Sequence, residues 1–325
     1  MILRSLNRFF AGLMAVTLLG LSGQTLAEYP ERTIRIVVPY PAGGATDTLA
    51  RQIAQGLSDA WGESVIVDNR PGASGITGAN IVARGRKDGY TLLMGITAMT
   101  QLPALYATLP FDVDDDFEPL NEVARSQNLL VVPKSMNVTT FEEFVARVKA
   151  EPGQHSYGSY GNGTSAHIHG ELLKQQTGLD LVHVPYRGSA PLMTDVLGER
   201  LSLGIVDAGS IRPHMDSDRF NVIAVSGVER SDLVPEVPTL KELGLTGFEP
   251  YGWFGMFAPS GVPDDILDTL SAEIARIIAT EEMADVIRGF GLRPVGSDRD
   301  GFADTVDSDL KVWTSVIRQT GIKIE

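Results

Sequence analysis

Cysteine is absent from all 325 residues of the chain. That absence excludes a disulfide framework, a thiolate metal site, a cysteine nucleophile and a lipid-acceptor cysteine. Positive charge is also scarce: 27 Lys and Arg stand against 41 Asp and Glu, a net charge of −14. Such a balance argues against nucleic acid or an anionic bilayer as partner. It leaves room for a small anionic ligand, because helix ends and backbone dipoles make a site locally positive whatever the global charge. Three catalytic or cofactor signatures are missing as well: the G-x-G-x-x-G dinucleotide fingerprint, the H-E-x-x-H zinc motif and the G-x-S-x-G nucleophile elbow. No cofactor or metal is therefore expected.

Long apolar runs are confined to residues 9–21, too short a stretch to span a bilayer with any margin. Arg4 and Arg8 precede it as a basic n-region, and Thr25 and Ala27 occupy the small-residue positions of a signal-peptidase site. Cleavage is expected after Ala27, giving a periplasmic chain that begins at Glu28 and does not insert into the membrane. A mature chain of about 300 residues exceeds one compact core and suggests two domains.

What is present is an alternation of strand and helix patterns, written twice. "TIRIVV", "TDTLARQIAQGLSD", "SVIVDN", "ITGANIVARG" and "YTLLMG" read as β-α-β-α-β. "HSYGSY", "AHIHGELLKQQTG", "DLVHVPY", "PLMTDVLGER" and "LSLGIVD" repeat that order, with Pro191 placed for a first helical turn. The segments around 128–132 and 252–258 read as strands crossing between the halves, and only helices are expected after the second. The expected fold is α/β: two lobes with parallel-rich sheets joined by two crossing strands. One lobe comprises 28–127 plus 251–325, the other 128–250.

Ligands of parallel α/β sheets sit off the carboxyl ends of the strands. Three loops per lobe lie there: 41–46, 70–75 and 96–100 in one, 161–165, 186–190 and 207–210 in the other. In "VVPYPAGGATD" the glycines at the strand-to-helix handover allow an anion to reach bare backbone N–H groups, so Tyr40, Ala42, Gly43, Gly44 and Thr46 are candidate contacts. Thr97 belongs to the third loop of that lobe. In the other, Ser159, Gly163, Thr164 and Ser165 surround a second glycine loop. Tyr186 and Arg187 follow a strand, where the planar guanidinium suits a carboxylate. Asp207 ends another strand; it would avoid a dicarboxylate but accept the ammonium group of an amino acid. Asp47 is assigned to capping instead, since a carboxylate in the first turn repels an anion. His167 and His169, two apart on a helix, face different ways and make no metal site. Trp253, Phe254 and Phe257 are read as core.

The runs "IVVPYPAGGATDTLAR", "VDNRPGASG", "DGYTLLMG", "GNGTSAHIHGELLK", "HVPYRG" and "VPEVPTLKELGL" resemble those of the Bug-type receptors of tripartite tricarboxylate transporters, in order and across the whole mature chain. "GITAMTQLPAL" departs from the family's more usual Gly-Thr-Ser-Ser-like loop. The resemblance implies a type II periplasmic binding fold and a carboxylate clasped between lobes, often through backbone groups and water. It also implies delivery to a membrane permease; the expected protein is a monomeric receptor that performs no chemistry. A same-fold receptor signalling through a sensor kinase, or a periplasmic hydrolase, is the alternative.

Overall fold

The apolar strand β1 (Ile34–Val38) is buried along nearly its whole length, as a central parallel strand requires. It opens a computed structural model that describes residues 29–323; the expected signal segment 1–27 and the start at Glu28 lie outside the described residues. α1 (Ala45–Trp61) follows and packs Leu49, Ile53 and Leu57, all fully buried, onto the sheet. It stops where Gly62 takes φ +71 and returns its N–H to the Ser58 carbonyl, a turn that glycine makes at no steric cost. β2 (Val65–Asn69), α2 (Ile76–Ala83) and β3 (Thr91–Ile96) complete a parallel unit in which β1 lies between β2 and β3. α3 (Ala98–Leu105), α4 (Val113–Asp116) and β4 (Phe117–Ser126) lead out of it.

The second unit follows β5 (Asn128–Pro133) and α5 (Phe141–Ala150), whose start carries a capping box between Thr140 and Glu143. β6 (His155–Ser159), α6 (Ser165–Thr177), β7 (Leu181–Pro185), α7 (Ser189–Leu197) and β8 (Leu203–Asp207) repeat the first unit strand for strand. α8 (Ala208–Ile211), β9 (Phe220–Val225), β10 (Gly252–Pro259), α9 (Asp264–Ile278), α10 (Glu281–Gly289), β11 (Arg293–Pro294) and α11 (Arg299–Thr320) complete the chain. The sheet orders are β11-β4-β10-β3-β1-β2 and β7-β6-β8-β5-β9. In each, a parallel triplet is extended by antiparallel strands, β10, β4 and β11 in one and β5 and β9 in the other. The sheets are thus mixed. β4, β9 and β11 are absent from the sequence reading, and two segments it treats as loops, 96–100 and 207–210, hold the starts of α3 and α8.

Two connections join the sheets. β4 passes into β5 through Gln127 alone, and the return from β9 reaches β10 through 226–251. Gln127 Nε2 donates to the Ser226 and Glu229 carbonyls at 2.8 Å, and Asn128 N–H donates to Ser226 Oγ at 2.9 Å, tying the two crossings together. A third element spans the seam. The 22 residues of α11 extend about 33 Å. Phe302 and Val306 pack in the core of the first sheet, while Trp313, Val316 and Ile317 pack in the core of the second.

Midway along this helix sits a buried carboxyl group. Asp309 accepts a hydrogen bond from Trp253 Nε1 at 2.8 Å. Burial pushes its pKa up to about 7; the Trp253 bond works against that rise and nearby Glu122 adds to it. A carboxyl that titrates higher in the folded than in the unfolded chain contributes stability that is complete below the unfolded value, about 3.9, and is lost as pH rises toward the folded one. Stability should therefore fall between about pH 4 and 7 and level off above. Asp309→Asn keeps the acceptor for Trp253 and removes the charge. It should melt higher than wild type at pH 8, by about 2–4 °C for each kcal/mol recovered, and alike at pH 4. Equal melting temperatures at both pH values would rule out a buried charge at this position.

Candidate functional site

The carboxyl ends of the two parallel triplets face each other across a cavity of about 400 Å³. Two helix starts reach it. α1 begins at Gly44 (φ −84) and α6 at Thr164 (φ −78), and neither start has a side-chain cap. The two loops before them match position by position. Gly43 (φ +92) gives its N–H to Asp47 Oδ2 at 2.9 Å, and Gly163 (φ +71) gives its N–H to His167 Nδ1 at 3.1 Å. In each lobe a left-handed glycine, where a Cβ would be strained, is held by the side chain at the third helical position. Of the N–H groups of the first turn proper, those of Ala45 and Thr46 in one helix and of Ser165 in the other are left without protein partners, while that of Ala166 is directed at the Tyr160 hydroxyl. Such donors, with the positive end of the helix dipole behind them, form a ready anion site.

The holders differ in chemistry. Asp47 is buried; burial opposes its ionisation, but hydrogen bonds from Arg51, the Gly43 N–H and Asn69 hold the carboxyl below the usual range. It is thus occupied by its own lobe, as the capping assignment expects. His167 stacks on His183 with ring centroids 4.1 Å apart. Burial lowers the pKa of both rings, that of His183 to about 4, so His167 is neutral at pH 7 and free to accept from Gly163. His169 is buried between Phe248 and Trp313. Tyr160 Oη donates to Asn128 Oδ1 at 2.9 Å, which turns the Asn128 amide nitrogen toward His169 Nδ1 at 3.0 Å. No group of three or more potential metal ligands occurs among the described residues.

Of the residues singled out from sequence, Tyr40, Thr97, Gly163, Thr164, Ser165 and Asp207 line the cavity. Ala42, Gly43 and Gly44 form the exposed approach to Ala45, which lines it, and Thr46 is buried in the first turn of α1. Three are not brought there. Ser159 is fully buried, with Oγ 2.7 Å from His183 Nε2 and 3.2 Å from the Gly161 carbonyl. Tyr186 donates its hydroxyl to Asp195 at 2.7 Å. Arg187 is exposed on the loop outside the cavity. Asp207 spends its oxygens on Ser210 N–H (3.0 Å), Ser210 Oγ (2.8 Å) and Ser189 Oγ, capping α8. Trp253 and Phe257 are core, as expected; the half-buried Phe254 reaches the cavity wall.

Gln101 is a cavity residue the sequence reading passes over. It lies on α3, 2 % exposed, and donates to Ser165 Oγ across the cavity at 2.9 Å. Reading "ITAMTQ" as loop hides it; read as helix, the stretch puts Gln101 one turn beyond Thr97. Thr97 is fixed by a reciprocal pair, accepting from Trp253 N–H at 2.6 Å and donating its own N–H to the Trp253 carbonyl at 3.1 Å.

Two sheets presenting matched helix starts to one enclosed space define a two-lobed solute receptor. Residues 49–322 match the model of the "tripartite tricarboxylate transporter family receptor", and the chain belongs to that family. Protein BugT of Bordetella pertussis is 31% identical over 91% of this chain and 92% of its own. A structure of R. palustris Rpa4515 with adipate superposes with a TM-score of 0.78 at 33% identity, covering 91% of this chain and 99% of that one. MatC of Rhodopseudomonas palustris with bound malate gives 0.73 at 27%, covering 89% and 100%.

The Gln101–Ser165 bond links the two sheets across the cavity, so it should contribute to affinity for a ligand held between them. Gln101→Ala should weaken binding of the best carboxylate by about fivefold, the worth of one neutral hydrogen bond near 1 kcal/mol. Isothermal titration calorimetry reads this, and unchanged affinity would deny the bond that role.

Proposed function

We propose that this protein is a periplasmic receptor that captures a small carboxylate between its lobes, closes on it and presents the closed form to the membrane permease of a tripartite transporter. It acts as a monomer, performs no chemistry, and works through differential affinity for the open and closed states. Family membership and the adipate- and malate-bound relatives support a carboxylate ligand. The signal segment ending at Ala27 supplies the address. Lobe boundaries at 28–127 plus 251–325 and at 128–250 complete the proposal, with α11 docking onto both.

The observation that carries the reading is the pair of uncapped helix starts, each with its preceding glycine N–H already engaged, opening on one cavity. The carboxylate is assigned to the N–H groups of Ala45 and Thr46 in one lobe and Ser165 in the other. The hydroxyls of Thr164, Ser165 and Tyr40 stand beside them.

Gly44 supplies the test. Its φ of −84 suits any residue and a Cβ there meets nothing within 4 Å; its counterpart Thr164 is held back by a hydrogen bond from its Oγ1 to the Gly161 carbonyl at 2.7 Å, which valine cannot make. Gly44→Val should therefore fold normally while its methyl groups fill the approach to the α1 N–H groups. Each charge-assisted bond is worth about 1.5–3 kcal/mol, so losing two weakens binding by roughly a hundredfold or more. The affinity for the best carboxylate from a thermal-shift screen, with melting temperature as folding control, decides it. A normally melting Gly44→Val that binds as tightly as wild type would move the carboxylate elsewhere.

A further inference from the structure

A second pocket, of about 380 Å³, shares Ser126 and Leu292 with the cavity. Five of the chain's 27 Lys and Arg line it, Arg125, Arg212, Arg230, Arg288 and Arg293, against a single acid, Asp232. They come from both sheets. Arg125 on β4 and Arg293 on β11 belong to the first, with Arg288 in the last turn of α10 beside them. Arg212 directly follows α8 and Arg230 lies beyond β9 of the second. The two sides meet on bare backbone there: a side chain on Gly209 would strike the Phe290 carbonyl, and one on Gly291 would strike Gly209. That approach lets Arg212 Nη1 donate to the Arg288 carbonyl and Arg293 Nη1 reach Glu229 at 2.9 Å.

Arg125 is committed, since its Nε and Nη2 both hold the fully buried Glu122. The other four are not. The carboxylates paired with Arg230, Arg288 and Arg293 are Glu242, Glu281, Asp285 and Glu229, whose side chains are 46–85 % exposed. Exposed pairs hold weakly and yield to a better-placed anion. Arg212 has no carboxylate partner among the described residues, Arg288 engages Nη2 alone and Arg293 Nη1 alone. Each guanidinium carries five N–H donors, so most of the donors at this pocket are unspent. We propose that it is a second anion site, taking a small oxyanion of two or more negative charges, either phosphate-bearing or a polycarboxylate. A single charge would satisfy one guanidinium; several can accept fork-like pairs from Arg212 and Arg230 on one side and from Arg288 and Arg293 on the other. The volume lies within the range of about 300–1,000 Å³ usual for small-molecule sites. Guanidinium groups hold the anion here and backbone N–H groups hold it at the helix starts, so the inference stands apart from the carboxylate reading.

Pyrophosphate and citrate are the probes, each titrated calorimetrically into the full mature protein at pH 7.5 and fixed ionic strength, with sodium chloride as control. At least one should bind where chloride does not, and tighter binding of pyrophosphate or of citrate assigns the phosphate-bearing or the polycarboxylate class. Arg212→Ala and Arg288→Ala should each weaken that binding by about tenfold or more, the loss of at least one charge-assisted bond, with melting temperature as the folding control. Gly44→Val, which blocks the α1 start, should bind the probe as wild type does. Absence of binding by either probe at millimolar concentration overturns the inference, as do normally melting arginine variants that bind as tightly as wild type. Should Gly44→Val then lose the probe, the anion sits at the helix starts and the carboxylate receptor stands without this second site.

Discussion

A helix start that opens on an enclosed space leaves backbone N–H groups without partners, and this chain builds two of them face to face. Side-chain caps would satisfy those donors and close the site; both starts lack one. The acceptor at the third helical position, Asp47 in one lobe and His167 in the other, reaches back to the glycine ahead of the helix instead. That bond fixes the loop and spares the donors of the first turn. The same geometric solution met by a carboxylate and by a neutral imidazole shows that an acceptor at that point is the requirement, not its charge. The imidazole accepts because burial keeps it neutral.

Everything else positions these two helix starts. The parallel triplets aim the strand ends at the cavity, and the crossings at Gln127 and 226–251 set how the lobes meet. From the cavity wall, Tyr160, Asn128, His169 and Trp313 run by hydrogen bond and ring stacking to α11, which is packed in both cores. A ligand held between the lobes therefore bears on one continuous buried network. The affinity difference between open and closed states is what such a receptor transmits.

The two β-α-β-α-β units are readable from residue patterns because their central strands are apolar runs and their helices keep apolar residues on one face. β4 is not. Its "FEPLNEVARS" buries Asn121 and Glu122 within the sheet, and such polar residues at buried strand positions mask the strand signal. α3 is hidden by a proline at position 103 and by its close succession to β3. Polar residues at strand ends mislead in a different way. Ser159, Tyr186 and Arg187 have suitable chemistry and suitable positions in sequence. Yet Ser159 turns inward to His183, Tyr186 to Asp195 and Arg187 out toward solvent. The glycine loops are easier to read, since backbone conformation and not side-chain direction is what they report. Gln101 and Phe254 come from contacts across the cavity, for which one chain of residue types offers no local pattern.

The central claim is that free backbone donors of two helices hold the ligand, and amide NMR observes those donors directly. Titrating the mature, isotope-labelled protein with its best carboxylate should move the N–H resonances of Thr46 and Ser165 downfield together, with one saturable dissociation constant matching calorimetry. The Gly43 and Gly163 amides, already bonded to Asp47 and His167, should move much less. Contradiction would be a saturating titration in which Thr46 and Ser165 stay in place while the resonances of the Arg187 loop shift.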